Sequence, residues 1–500
     1  MNIFNIIIIG AGHSGIEAAI SASKICNKIK IITSNLENLG IMSCNPSIGG
    51  IGKSHLVKEL ELFGGIMPEA SDYSRIHSKL LNYKKGESVH SLRYQIDRIL
   101  YKNYILKILF LKKNILIEQN EINKIIRFKK KILIFNKLKF FNIAKIIIVC
   151  AGTFINSKIY IGKNIKALNK AEKKSISYSF KKINLFISKL KTGTPPRLDL
   201  NYLNYKKLSV QYSDYTISYG KNFNFNNNVK CFITNTDNKI NNFIKKNIKN
   251  SSLFNLKFKS IGPRYCPSIE DKIFKFPNNK NHQIFLEPES YFSKEIYVNG
   301  LSNSLSYNIQ KKLIKKILGI KKSYIIRYAY NIQYDYFDPR CLKISLNIKF
   351  ANNIFLAGQI NGTTGYEEAS SQGFVAGINS ARKILKLPLW KPKKWNSYIG
   401  VLLYDLTNFG IQEPYRIFTS KSDNRLFLRF DNAIFRLINI SYYLGCLPIV
   451  KFKYYNSLIY KFYKNLINIR KIKLFDNFYL FKLIIIMSKY YGYIKKKYFK

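Results

Sequence analysis

The chain is 500 residues long, which at roughly 150 residues per domain implies two to four domains. With 47 % hydrophobic and 15 % aromatic residues it can bury a large core, which excludes wholesale disorder. Eighty-three Lys and Arg against 28 Asp and Glu leave a net charge of +55, a field that disfavours basic partners and favours polyanions. The crowding of Lys, Ile, Asn, Tyr and Phe fits a coding bias as well as a nucleic-acid footprint, so charge alone names no partner. No apolar run approaches the ~18–20 residues of a membrane span, and the longest candidates are Ile6–Ile9 and Leu483–Met487. Seven cysteines are scattered at 26, 44, 150, 231, 266, 341 and 446, none in a C-x-x-C pair, and the five histidines are dispersed. Neither a disulfide framework nor a metal site is expected. The N-terminus enters a strand at once with no cleavable signal pattern, so a reduced, soluble, cytoplasmic protein is predicted.

Residues Ile3–Ile9 form an unbroken apolar run, the pattern of a strand buried on both faces. Gly10-Ala11-Gly12-His13-Ser14-Gly15 follows, then a helix-like stretch Ile16–Lys24 and a second strand Ile29–Thr33. This is a G-x-G-x-x-G in its confirming context. Gly10 makes the turn, Gly12 lets backbone approach a diphosphate, and Gly15 lets helix and strand pack closely. The helix N-terminus then offers N–H groups and a positive dipole end to the phosphates. The acid that usually ends the second strand is missing, because the chain reads Thr33-Ser34-Asn35 and Glu37 lies beyond the strand. The loop by itself leaves FAD and NAD open.

Gly40–Ser54 is rich in glycine and carries Cys44, with Lys53 nine residues on. Gly52-Lys53-Ser54 imitates a phosphate loop, but the required first glycine is Ser47 and no strand leads in. Cys44 is a candidate nucleophile near positive charge, the alternative being a small buried hydrophobe. Another strand, Ile146–Val149, ends in Cys150-Ala151-Gly152-Thr153. The stretch from about Lys191 to Tyr336 has its own strand-like segments and Asn-rich loops. It contains Lys191–Arg197, a proline-fixed turn ending in a cation, and Gly262-Pro263-Arg264-Tyr265-Cys266-Pro267-Ser268, a rigid loop with a second cysteine. Ile354–Ala357 is a further strand ending in Gly358-Gln359, and Gly373, Ala376 and Gly377 mark a helix able to crowd a nucleotide. Beyond Trp390 the pattern is helical. Arg416, Arg425 and Arg429 cluster in a chain poor in arginine, with Arg425 and Arg429 spaced i,i+4 on an expected helix, either a phosphate clamp or a solvated basic face. The elements predict a dinucleotide fold interrupted by an inserted domain and followed by a helical part.

Taken together, Gly10–Gly15, Met42–Lys53, Lys191–Arg197, Gly262–Lys272, Asn361–Ala369 and Glu413–Arg429 resemble, in order and spacing, the glucose-inhibited division protein A family of tRNA wobble-uridine modification enzymes. The resemblance implies an α/β fold: a Rossmann-like FAD-binding domain (1–190 and 346–390), an inserted α/β domain (191–345) and a helical, basic C-terminal region (391–500). It implies FAD on Gly10, Ala11, Gly12, His13, Ser14, Gly15 and Gln359. NADH is expected along Gly262–Phe276, through Gly262, Pro263, Arg264, Tyr265, Pro267, Ser268, Ile269, Glu270, Asp271, Lys272, Ile273, Phe274, Lys275 and Phe276. Cys44 and Cys266 match the family's two functional cysteines, and Arg416, Arg425 and Arg429 would meet the anticodon arm of tRNA. Methylenetetrahydrofolate is the implied one-carbon donor. A homodimer, joined by the GTPase MnmE into a heterotetramer, is the implied assembly. The chain departs from the family at Lys85–His90, although Arg93, Gln95, Asp97 and Arg98 remain, and it is shorter at its C-terminus, which predicts weaker GTPase coupling. The alternatives are a folate- and FAD-dependent tRNA uridine-5-methyltransferase and a generic flavin oxidoreductase.

Overall fold

The computed structural model describes residues 3–136, 141–167, 176–214, 218–220, 223, 229–252, 262 and 267–467. Strand β1 (Ile3–Ile9) pairs in parallel with β2 (Ile29–Thr33) on one side and with the strand Phe141–Val149 on the other. Ile9 lies beside Ile32 and Val149, so the three strands end level. Ile354–Leu356 pairs in parallel with the last part of Phe141–Val149, and Ile115–Gln119 extends the sheet beyond β2. Level strand ends put the loops after β1, Val149 and Leu356 at one edge of the sheet, where open α/β folds bind ligands.

Helix α1 (His13–Ser23) begins inside the glycine loop, three residues before the expected start, and is buried from His13 to Ala22. It lies against the helix Tyr366–Ile384. A Cβ at Gly373 would strike the backbone of Ser14, and one at Gly377 the backbone of Ala18. The small residues therefore let two helices touch backbone to backbone, not crowd a nucleotide as the sequence suggested.

An antiparallel sheet runs in the order Ser209–Gln211, Cys231–Asn235, Gln283–Pro288, Glu295–Asn299, Arg197–Asp199, Ile325–Arg327. Helices Asn238–Lys246, Ile269–Lys275 and Tyr307–Ile314 pack with it around a core drawn from Leu198 to Ile320. A separate, larger core contains β1 and α1 and also Tyr398, Leu402, Leu437 and Cys446 from the C-terminal part. The buried carboxylate of Glu59 ties that part down, accepting from the N–H groups of Tyr398 (2.8 Å) and Ile399 (3.0 Å) and from Arg436 (3.1 Å). Between the two cores, Ile187–Thr194 pairs antiparallel with Tyr330–Phe337. Among the described residues no helix is long and apolar enough to cross a membrane.

Candidate functional site

The glycine loop after β1 is built for close backbone contact. A Cβ at Gly10, whose φ is 103°, would run into the Cys150 carbonyl, and one at Gly15 into the Gly10 carbonyl. Gly12 differs: the space where its Cβ would stand holds no atom within 4 Å. Gly12 is also the N-cap of α1 and brings no capping side chain, so the first-turn N–H groups are not covered by one. An open cradle at a helix N-terminus fits a dinucleotide diphosphate. His13 Nε2 is buried without a hydrogen-bond partner among the described residues, and burial pushes the imidazole down to about 4, with Glu367 opposing. Ser14 Oγ donates to Cys150 Sγ (3.3 Å), and the Ala11 carbonyl accepts from Gly40 N–H (3.1 Å). Gln359 follows the third strand end and donates to Tyr334 Oη (3.0 Å). No acid ends β2: Glu37 is exposed in the turn Leu36–Asn38.

Cys44 lies one step from this cradle. Its N–H donates to Tyr366 Oη (2.6 Å), and the Tyr366 ring stacks on His13 with centroids 4.4 Å apart. The thiol is half-buried, 3.4 Å from Tyr297 Oη and 3.9 Å from the Gly193 carbonyl. Arg98 donates to the Cys44 carbonyl and Arg197 to the Ser43 carbonyl (3.5 Å). Both guanidinium groups pair with Glu289, at 3.0 and 3.1 Å. Burial opposes the charge on Arg197, yet Glu289, Tyr297 and Cys44 raise its pKa above the ordinary value. Local chain chemistry holds these groups in place. Asp97 caps the helix Arg98–Phe110 through Ile99 and Leu100 N–H and accepts from Ser290 Oγ (2.8 Å), which fixes Arg98 beside Glu289. Arg197 stands opposite Tyr297 in the antiparallel register.

Pro263, Arg264, Tyr265 and Cys266 lie outside the described residues. The ends of their segment are placed. A Cβ at Gly262 would come within 2.6 Å of Lys191, two residues from the carbonyl beside Cys44, and Ile269 N–H donates to Ser302 O (2.7 Å). Pro267 is half-buried, and Ser268 caps the helix Ile269–Lys275 through Asp271 N–H (3.1 Å). Ile269 and Ile273 belong to the core of the inserted unit. Glu270 is buried there and accepts from Ser251 and Ser304, both at 3.0 Å, with burial pushing its carboxyl up. These three residues serve the core, which corrects the expectation that the whole segment lines a nicotinamide site. Lys272 donates to Gly300 O (3.1 Å), Asp271 is half-buried, and Phe274, Lys275 and Phe276 are exposed.

Lys53 is buried, 2.8 Å from Glu367 and 3.1 Å from Glu368. Glu367 also accepts from Gly49 N–H (2.7 Å), and Glu368 from Ile417 N–H (3.3 Å). The cations at Cys44 are thus Arg98 and Arg197, not Lys53. Arginines 416, 425 and 429 do not form one face. No helix forms over residues 424–430. Arg429 is 0 % exposed and paired with Asp431 (2.9 Å), so it presents nothing to a phosphate. Arg416 is half-buried near Glu368, and Arg425 is exposed. Glu289, Tyr297 and Tyr330, absent from the sequence reading, sit on strands or turns whose alternation signals burial and nothing more. Tyr366 lies within Asn361–Ala369, whose spacing gives no sign of its contact with Cys44.

A largely parallel sheet with a nucleotide cradle, joined to an inserted unit whose residues reach the same thiol and arginines, defines a dinucleotide-binding enzyme. Residues 5–388 match the model of the family described as glucose inhibited division protein A. The chain belongs to that family. It is 46 % identical over 463 residues to the tRNA uridine 5-carboxymethylaminomethyl modification enzyme MnmG of Buchnera aphidicola subsp. Cinara cedri (strain Cc), covering 91 % of this chain and 73 % of that protein. It is also similar to GidA of Aquifex aeolicus in two crystal forms. Form I superimposes with a TM-score of 0.92 at 36 % identity, covering 99 % of this chain and 89 % of that one. Form II gives 0.91 at 34 %, covering 99 % and 87 %.

Proposed function

We propose that this FAD-dependent tRNA uridine modification enzyme installs an aminomethyl-type or carboxymethylaminomethyl group at C5 of the wobble uridine, with Cys44 and Cys266 both needed for turnover. The observation that carries the reading is the half-buried Cys44 thiol, 3.4 Å from Tyr297 and joined through Tyr366 to the glycine cradle. FAD, when bound on the Gly10–Gly15 cradle and near Gln359, supplies the redox chemistry, with NADH as the proposed reductant. C5 of uracil is a poor nucleophile. A thiolate adding to C6 moves the C5–C6 π pair toward O4, and the resulting enolate attacks, through C5, an electrophilic methylene derived from methylenetetrahydrofolate. A general base then removes the C5 proton while the C6–S pair returns to sulfur. Arg98 and Arg197, held by Glu289, put positive charge beside the thiol where the ring becomes anionic.

The basic surface, with Arg425 and Arg416 but not Arg429, is the proposed platform for the anticodon arm. A homodimer, assembly with the GTPase MnmE into a heterotetramer, and a cytoplasmic location complete the reading. The test is nucleoside mass spectrometry on tRNA treated with FAD-loaded Cys44→Ser and Cys266→Ser variants. Loss of the modified wobble uridine in both is expected, and a wild-type rate in either would overturn the reading. Formation of 5-methyluridine in the T-loop would favour the methyltransferase instead. NADH oxidation by a dissolved acceptor, without salt-sensitive tRNA affinity, would favour a generic oxidoreductase.

A further inference from the structure

We propose that the Tyr297 hydroxyl is the hydrogen-bond donor that orients Cys44 and stabilises its sulfur as an anion, both when it adds to the pyrimidine and when it leaves. This rests on the reading of Cys44 as a nucleophile. Donor arithmetic decides the direction. Cys44 Sγ stands 3.4 Å from Tyr297 Oη and 3.9 Å from the Gly193 carbonyl. A thiolate carries no hydrogen and can only accept, so in the reactive, ionised state the 3.4 Å contact is made by the phenol O–H onto sulfur.

The ring has little freedom to turn away. Tyr297 is 3 % exposed on the strand Glu295–Asn299, with the Arg197 guanidinium 4.9 Å and the Arg98 guanidinium 5.8 Å from its centroid. The charged and titratable groups around the pair are Arg98, Arg197 and Glu289, with Tyr330 and Tyr366 beside them. The arginines polarise the phenol toward donation while Glu289 holds them in place.

The chemistry balances without transferring a Tyr297 proton. The thiol proton passes to solvent, the S–C6 bond forms as the π pair moves to O4, and release returns the S–C6 pair to sulfur as a general base takes the C5 proton. In both directions the anion is on sulfur next to one fixed O–H. Removing the phenol O–H takes away about one hydrogen bond to a charged sulfur, an effect of about tenfold on its reactivity.

The test uses the full-length, FAD-loaded protein and reads Cys44 directly. Iodoacetamide alkylation of Cys44 is followed by peptide mass spectrometry across pH, alongside single-turnover tRNA modification and tRNA binding. For Tyr297→Phe the expected result is alkylation about tenfold slower at neutral pH, a profile displaced by about one unit to higher pH, and slower single turnover with unchanged tRNA affinity. Should Tyr297→Phe fail to fold, 2,3-difluorotyrosine at position 297 decides the matter: a more acidic phenol of the same shape moves the profile to lower pH. A profile that coincides with wild type in the phenylalanine variant, or is unmoved by fluorination, overturns the assignment. The reading of Cys44 as nucleophile fails separately, if Cys44→Ser modifies tRNA at the wild-type rate.

Discussion

The Cys44 thiol sits among groups that come from five separate stretches of chain, and each neighbour answers to its own local chemistry. The arginine cluster shows why residue type alone misleads. Arg425 and Arg429 share a spacing, but one is exposed and the other is 0 % exposed against Asp431. Arg425→Ala should weaken tRNA binding in a filter or anisotropy assay and leave the melting temperature unchanged. Arg429→Ala should destabilise the fold by about 3–5 kcal/mol, because it breaks a buried ion pair by removing one partner. His55 makes the second prediction at this scale. Both ring nitrogens lack hydrogen-bond partners among the described residues, and burial, with Arg436 and Arg429 adding to it, pushes the imidazole down to about 3. Between pH 3 and 6.5 the unfolded chain binds the extra proton, so stability rises with pH and is lost as pH falls below 6.5. His13 acts in the same sense, whereas Glu17, pushed up to about 7 by burial, acts in the opposite one. The difference between His55→Phe and wild type isolates the first. The variant should gain about 1–3 kcal/mol more stability at pH 5 than at pH 7.5, measured by denaturant unfolding.

At the scale of elements, the glycines of α1 and of the helix Tyr366–Ile384 divide between packing and ligand. Gly373 faces the Ser14 backbone with no room for a methyl group, whereas Gly12 faces open space at ordinary φ. Gly373→Val should therefore prevent stable folding, with lost soluble yield as the measurement. Gly12→Ala should fold with a melting temperature near wild type when free of cofactor, yet retain little FAD by absorbance. A Gly12→Ala protein that keeps a full complement of flavin would remove the cradle from its proposed role. The same division explains a partial success of sequence reading. Gly10, Gly12 and Gly15 were legible because a strand precedes and a helix follows. The small residues near Gly373 were read as nucleotide contacts because spacing does not say what stands opposite.

At the scale of the molecule, Cys44 draws its neighbours from both units. Cys44, Arg98 and Tyr366 come from the nucleotide-binding side, and Gly193, Glu289 and Tyr297 from the inserted side or the strand leading into it. The chain carries a net charge of +55, so tRNA affinity should fall steeply with salt. Six phosphate contacts imply a loss of about a thousandfold between 50 and 200 mM. A flat salt dependence would assign the excess lysine to composition and not to binding.

The parallel sheet, the glycine cradle and the presence of an inserted unit were written in the sequence, because apolar runs, turn residues and their order are properties of neighbours along the chain. Which cations stand beside the Cys44 thiol, which arginine is hidden, and that a core tyrosine touches the sulfur were decided only when strands far apart in the chain came into register. Contacts of a few ångströms between residues 98, 197, 289 and 297 and the Cys44 loop depend on that register, and no pattern of spacing within a single segment encodes it.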